Sequence, residues 1–159
     1  MSIPGKPTLS KEQATQKIKH YCAWQERCHQ EVKEKLYELG LHKKEVDEVL
    51  SQLIEENYLN EERFSIQFAG GKFRMKSWGK IKIRYALKQK QVGEYLIKKA
   101  LQQIDDDTYM AVLQKLAQEK WKTLKGEKSI SIKKQKTLNY LLQKGYEAEL
   151  AKDIISEYT

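Results

Sequence analysis

A short apolar segment occurs three times in the chain at nearly constant spacing. Residues 36–41 read Leu-Tyr-Glu-Leu-Gly-Leu, residues 87–92 read Leu-Lys-Gln-Lys-Gln-Val, and residues 141–146 read Leu-Leu-Gln-Lys-Gly-Tyr, at offsets of 51 and 54 residues. The apolar positions that follow keep the same register in each copy: Val46, Val49, Leu50 and Leu53; Ile97, Ala100, Leu101 and Ile104; Ala151, Ile154, Ile155 and Tyr158. Helix propensity alone does not produce such a register, whereas an internal repeat does, and repeat arrays are typical of proteins that bind long or periodic partners.

The composition indicates an all-α fold built from small units. Both prolines lie in the first seven residues, 33% of residues are charged, and β-branched runs are few. A unit of about 50 residues buries little apolar surface alone, so we expect neighbouring units to share a core. We predict nine helices in three tandem three-helix, helix-turn-helix-like repeats at 10–57, 58–104 and 105–159, preceded by a disordered N-terminus at 1–9.

Capping and stop signals place the individual helices. Ser10 with Gln13 forms a capping box for a first helix that we expect to run to about Arg27. Gly40 and Gly145 are typical helix stops. Other helices are expected to begin near Asn60, Ser77, Gly93, Asp105 and Ser131, and at about His29, Lys43 and Glu147. The helix that begins after Asn60 is expected to fray near Gly70 and Gly71.

Several function classes find no support in the sequence. No apolar stretch approaches 18 residues, the first seven residues have no apolar core for a secretory signal, and two cysteines favour a reducing, cytoplasmic location. No phosphate loop, dinucleotide fingerprint or hydrolase motif occurs, so we expect neither an enzyme nor a cofactor. His20, Cys22, Cys28 and His29 have zinc-ligand chemistry, but His20 and Cys22 point about 200° apart on one straight helix, which favours ordinary packing over a metal site.

The positive charge is concentrated in the middle of the chain. The net charge is +8, yet residues 72–136 hold 18 Lys/Arg against 6 Asp/Glu, while residues 1–71 and 137–159 are each slightly acidic. Lys80, Arg84 and Lys88 recur every four residues and should form one ridge on a helix. Such a zone is either a solvated lysine-rich face or a contact for phosphates or an acidic protein groove, and we favour contact.

The contact candidates lie in two groups of this basic zone. They are Lys72, Arg74, Lys76, Lys80, Lys82, Arg84, Lys88, Lys90, Lys133, Lys134 and Lys136. Trp78, which precedes the ridge, is either a hydrophobic plug at a helix start or an exposed contact.

Two strings in the second repeat resemble a known family. Tyr58-Leu59-Asn60-Glu61-Glu62-Arg63-Phe64 stands at the first repeat boundary, and the segment 78–84, Trp-Gly-Lys-Ile-Lys-Ile-Arg, leads into the repeat at 87–92. Together with three three-helix repeats, they resemble RecX, the bacterial regulator of the RecA recombinase, from about residue 10 to the end. Two departures are Asn60, where the family usually has an acid, and residues 139–146, which lack the arginines common in the third repeat.

The resemblance implies an elongated, curved, all-helical protein that lies along the groove of the RecA–DNA filament. It would block strand exchange and ATP hydrolysis, or promote disassembly, by binding alone. The expected partners are the RecA filament and, weakly through the backbone, single- and double-stranded DNA, with no membrane and with the protein a monomer. The alternative is a stand-alone nucleic-acid-binding protein of helix-turn-helix type, whose affinity for naked DNA would fall steeply with salt.

Overall fold

The computed structural model describes residues 9–159, and within that range it contains nine α-helices and no strand. The all-α prediction is therefore confirmed. The disordered N-terminus is predicted at 1–9, and residues 1–8 of it lie outside the described residues. The helices are α1 (Lys11–Trp24), α2 (His29–Glu38), α3 (Lys43–Glu55), α4 (Glu61–Lys76), α5 (Lys80–Gln89), α6 (Glu94–Gln102), α7 (Asp106–Thr123), α8 (Ile130–Gln143) and α9 (Ala148–Ser156). In the part of the chain that is described, no helix is both long and apolar enough to cross a membrane.

The helices pack in consecutive groups of three. α1, α2 and α3 contact one another, as do α4, α5 and α6, and α7, α8 and α9. We refer to these groups as the first, second and third units. The residue boundaries at 57/58 and 104/105 stay predictions, although both fall in the short connections between groups.

The repeated segment closes the middle helix of every unit in the same way. Leu36, Leu87 and Leu141 are fully buried, and their carbonyls accept from the backbone N–H five residues later at 3.2, 3.1 and 3.1 Å. This is the Schellman pattern, which needs a left-handed residue just after the helix. Glycine supplies it twice, and Gln91, with φ of 62°, supplies it in the second unit.

Within residues 9–159, the buried apolar side chains form two cores rather than three. The first unit encloses its own core around Ile18, Leu36 and Leu53. A second, continuous core joins the second and third units, from Phe64 to Ile155. Sharing a core compensates for the small apolar area that one three-helix unit can bury.

The first unit joins the second through Cys28 and polar pairs. Cys28 is fully buried and belongs to the second core although it lies in the first unit. The Arg63 guanidinium donates to Glu26 at 2.5 Å, and the His29 backbone N–H donates to the Glu61 carboxylate at 3.1 Å. Two residues of the family-like string at 58–64 therefore contribute to this junction: Glu61 as an acceptor and Arg63 as a donor.

Helix boundaries differ from expectation in the first unit. α1 ends at Trp24, which is 83% exposed, instead of near Arg27. Gln25 adopts an extended conformation, and the Arg27 guanidinium turns back to donate to the Tyr21 carbonyl at 3.0 Å while it lies 3.7 Å from the centre of the Tyr21 ring. The guanidinium thereby satisfies a carbonyl that the ended helix leaves without a partner.

Three expected features of the second and third units are also wrong. α4 continues through Gly70 and Gly71 because buried Ala69 and Phe73 anchor it on both sides. Ser77 ends α4 in a left-handed conformation and does not cap α5, which begins after Gly79. Ser129, not Ser131, caps α8, since its hydroxyl accepts from the Ile132 N–H.

Candidate nucleic-acid and protein interface

The first turn of α5 is held by backbone of the third unit. The Gly79 N–H donates to the Lys144 carbonyl at 2.8 Å, and the Ile81 N–H donates to the Gly145 carbonyl at 2.9 Å. The first N–H groups of a helix have no partner within the helix, so the third unit caps α5 where a side chain would otherwise do so. A Cβ on Gly79 would lie 2.3 Å from the Gly145 carbonyl carbon, which explains glycine at this position.

Two buried tyrosines of the third unit complete this cap. The Tyr109 hydroxyl accepts from the Lys80 N–H at 2.9 Å and donates to the Glu147 carboxylate. The Tyr146 hydroxyl donates to the Ser77 carbonyl at 2.9 Å. Burial raises the pKa of both hydroxyls well above the ordinary tyrosine value, so both keep their protons at neutral pH. The basic residues of α5 are therefore fixed in orientation relative to the third unit.

The predicted ridge on α5 carries its own counter-ions. Arg84 and Lys88 both contact the Glu94 carboxylate, the latter at 3.4 Å, and Lys80 lies 3.6 Å from Asp106. Like charges four residues apart disfavour a helix, and these acids on α6 and at the start of α7 offset that repulsion. Ion pairs within the molecule therefore suffice to explain why the helix tolerates this ridge.

The opposite flank of α5 carries two lysines that border aromatic rings. Lys72 and Lys82 place their ammonium groups 5.0 and 4.8 Å from the centre of the Trp78 ring, and Lys72 also lies 5.5 Å from that of Phe68. Neither lysine has a carboxylate within 4.0 Å among residues 9–159. At about 100° per residue, Lys82 points about 160° away from Arg84 on the helix. We call Phe68, Lys72, Trp78 and Lys82 the Trp78 flank.

Trp78 combines the two roles that the sequence left open. Its ring is half-buried and packs against the second core. The same ring borders two free ammonium groups, where a cation beside an aromatic face gains electrostatic stabilisation. The side chain is therefore both a packing residue and part of the basic surface.

Arg74 and Lys76, at the end of α4, are exposed. The Arg74 guanidinium lies against Gly70, one turn back on the same helix. The Lys144 ammonium donates to the Lys76 carbonyl at 2.8 Å, which places a further cation beside the Trp78 flank. Sequence inspection missed Lys144 because nothing local links it to residues nearly seventy positions earlier.

The candidates of the third unit are spread over separate neighbours. The Lys133 ammonium lies 4.1 Å from the centre of the Trp121 ring. Lys134 donates to the Ser156 carbonyl at 3.3 Å, and Lys136 lies 3.5 Å from the Glu127 carboxylate.

Ion pairing divides the predicted contact residues into two sets. Those within 4.0 Å of a carboxylate are Lys80, Arg84, Lys88, Lys90 and Lys136. In the described chain, the candidates without such a carboxylate are Lys72, Arg74, Lys76, Lys82, Lys133 and Lys134. The second set can bind an external anion without first breaking an ion pair.

The histidines and cysteines considered for zinc are not brought together. Cys22 is buried in the first core and Cys28 in the second, whereas His20 is exposed. Burial raises the pKa of both thiols to about 11, which disfavours the thiolate that zinc requires. No cluster of three or more potential metal-binding side chains occurs within residues 9–159.

Comparisons with known proteins identify two of the three units. Residues 60–101 match the sequence model of the second three-helix domain of RecX, and residues 107–155 match that of the third. Together the two matches span more than half of the chain.

Individual relatives agree with these matches. Regulatory protein RecX of Clostridium perfringens (strain SM101 / Type A) is 35% identical over 132 residues, which are 81% of this chain and 60% of that protein. Regulatory protein RecX of Prosthecochloris aestuarii is 28% identical over 137 residues, which are 86% of this chain and 87% of that protein. The chain thus spans only about 60% of the length of the clostridial relatives that it matches.

Solved structures show the same fold. A crystal structure of RecX from Lactobacillus salivarius superposes with a TM-score of 0.84 at 22% identity, covering 92% of this chain and 95% of that one. A crystal structure of regulatory protein RecX gives a TM-score of 0.83 at 22% identity, covering 92% and 72%. Because two of its units match RecX domains and its relatives are RecX proteins, the chain belongs to the RecX family.

Proposed function

We propose that this protein regulates the RecA recombinase by binding the RecA–DNA filament, most directly by inhibiting strand exchange and ATP hydrolysis during DNA repair and the SOS response. It acts in the cytoplasm as a monomer, without a cofactor and without an active site of its own. Membership of a family whose relatives carry the name regulatory protein RecX supports this proposal. The Trp78 flank is the observation that carries it, because it offers free cations beside an aromatic face.

The chemistry of the Trp78 flank suits a nucleic-acid backbone. Phosphates attract cations that have no internal partner, and an aromatic ring beside them can contact sugar or an unstacked base. Lysine presents a point charge, which supports backbone contact rather than the bidentate reading of base edges typical of arginine. Contacts spread over the second and third units bind together with a raised effective concentration.

A neutralisation pair tests which lysines matter. Lys72→Gln/Lys82→Gln removes two unpaired charges, whereas Lys88→Gln/Lys99→Gln removes two charges that are paired with acids. We expect the first variant to bind RecA-coated single-stranded DNA about tenfold more weakly and to reduce the slope of log affinity against log salt by about 2. The control should change affinity by less than about twofold, since paired surface charges contribute little. Fluorescence anisotropy measures both.

Activity assays separate regulation from simple DNA binding. Wild-type protein should slow RecA-catalysed strand exchange and ATP hydrolysis, and Lys72→Gln/Lys82→Gln should do so only at higher concentration. Tight binding to bare DNA with no effect on either reaction would instead indicate a stand-alone nucleic-acid-binding protein. An equal loss of affinity in both double variants would show that the Trp78 flank is not the contact surface.

A further inference from the structure

A groove between α4 and α6 differs in chemistry from the Trp78 flank. It has a volume of about 420 Å³ and lies above Ile66, Phe73, Ala100 and Ile104. Arg74 and Asp105 stand at its rim. An apolar floor with a few polar groups at the edge is typical of a surface that binds a side chain.

Gly70 makes room for the Arg74 guanidinium in this groove. Glycine inside a helix is unfavourable relative to alanine, so a glycine at mid-helix calls for a local reason. A Cβ on Gly70 would lie 2.6 Å from the Arg74 Nη1, whereas a Cβ on Gly71 would meet nothing within 4 Å. Among residues 9–159, no carboxylate lies within 4.0 Å of Arg74, so its charge is available to a partner.

One carboxylate oxygen of Asp105, the other charged group at the rim, is already engaged. Its carboxylate accepts from the Thr108 N–H at 2.9 Å and from the Thr108 hydroxyl at 2.8 Å. These hydrogen bonds lower the pKa of Asp105, and the positive end of α7 offsets its charge. Arg74 is the cation at this rim, and it is the group that can pair with an external carboxylate.

We propose that the groove binds a segment of the protein partner in which an aliphatic side chain fills the apolar floor and a neighbouring carboxylate pairs with Arg74. The proposal rests on the proposed function, since the partner is the protein component of the RecA–DNA filament. A DNA strand has phosphate for Arg74 but no aliphatic group for the floor. Ile66, Gly70 and Arg74 line one flank of α4, and Phe68 and Lys72 line another, so one helix separates a protein-facing side from a DNA-facing side.

Paired variants test the groove with the full chain. Gly70→Ala makes the end of the Arg74 side chain shift, while Gly71→Ala makes the same change one residue later where space is open. Arg74→Glu reverses the charge at the rim. Each variant is titrated against bare single-stranded DNA and against the same DNA coated with RecA, and thermal melts by circular dichroism confirm that each is folded.

The expected result is a selective loss on the coated DNA. Arg74→Glu should weaken binding to RecA-coated DNA by at least about tenfold and binding to bare DNA by less than about threefold. Gly70→Ala should weaken the coated-DNA complex by roughly fivefold, and Gly71→Ala by less than about twofold.

Four outcomes would overturn the groove proposal. Equal losses for Arg74→Glu on bare and coated DNA would make Arg74 a phosphate ligand instead. Identical behaviour of Gly70→Ala and Gly71→Ala would show that the seat of the guanidinium does not matter. Full inhibition of strand exchange by Arg74→Glu would refute the groove alone, whereas wild-type protein without any effect on RecA would refute the proposed function and the groove with it.

Discussion

Replacing Gly79 by alanine tests the backbone contact that joins the second and third units. The new Cβ would lie 2.3 Å from both the carbon and the oxygen of the Gly145 carbonyl, whereas non-bonded carbon atoms need about 3.5–4 Å. The backbone segments around Gly79 and Gly145 must therefore move apart by more than about 1 Å. The two backbone hydrogen bonds from Gly79 and Ile81, at 2.8 and 2.9 Å, would then break.

The magnitude follows from those two bonds and from the shared core. Each lost bond leaves a buried donor or acceptor unsatisfied, at about 1–3 kcal/mol, and the Tyr109 contact to the Lys80 N–H is weakened as well. We expect Gly79→Ala to lower the free energy of unfolding by about 3–5 kcal/mol, a large share of the stability of a small protein. The α5 lysines would also lose their fixed orientation.

Gly93→Ala is the matched control. Gly93 is also an N-cap glycine with an extended conformation, but a Cβ there would meet nothing within 4 Å. Gly93→Ala should lower the free energy of unfolding by less than about 1 kcal/mol, the usual loss at an unfavourable cap. Urea unfolding followed by circular dichroism measures both variants. A difference of less than about 1 kcal/mol between them would refute the idea that the third unit caps α5.

Three further variants probe other features. Gln91→Gly should raise the free energy of unfolding by about 0.5–1 kcal/mol, because Gln91 holds a left-handed φ of 62°; a lower thermal midpoint would contradict this. Burial raises the pKa of the Cys22 and Cys28 thiols from about 9 to about 11. Because the folded protein keeps these protons up to a higher pH than the unfolded chain does, its free energy of unfolding should fall as pH rises from about 9 to about 11. Cys22→Ala/Cys28→Ala should show a shallower fall in urea unfolding over that range, and an unchanged slope would exclude the thiols as its cause. Arg63→Ala should lower the free energy of unfolding by about 1–2 kcal/mol through lost bonds to Glu26 and Asn57, measurable by urea unfolding. A neutral effect would mean that Cys28 and the His29–Glu61 hydrogen bond secure the junction without Arg63.

Local signals predicted much of the fold. Ser10, Asn60 and Asp105 cap helices with their own side chains, as their spacing to the following N–H groups indicated. Gly93 begins α6 as expected. Each of the three side-chain caps joins residues three positions apart, so side-chain type and spacing suffice to find it.

The errors arose where the deciding atoms are distant in sequence. Ser77 resembles a helix cap, but its carbonyl accepts a hydrogen bond from the Tyr146 hydroxyl. Backbone carbonyls of the third unit cap α5 instead. The glycines of α4 resemble a break, but burial of Ala69 and Phe73 holds the helix together. Packing and long-range hydrogen bonds outweigh a local preference that is worth about 1 kcal/mol per residue.

The sequence by itself determined three helical repeats in a common register and a basic middle, because apolar periodicity and charge are properties of residue type. Only the tertiary structure decided which cations are available. Glu94 and Asp106 neutralise the ridge at Lys80, Arg84 and Lys88, while Lys72 and Lys82 stand free around Trp78. The reason is physical: an ion pair depends on distances of a few ångströms between side chains, and those distances are set by how the helices pack.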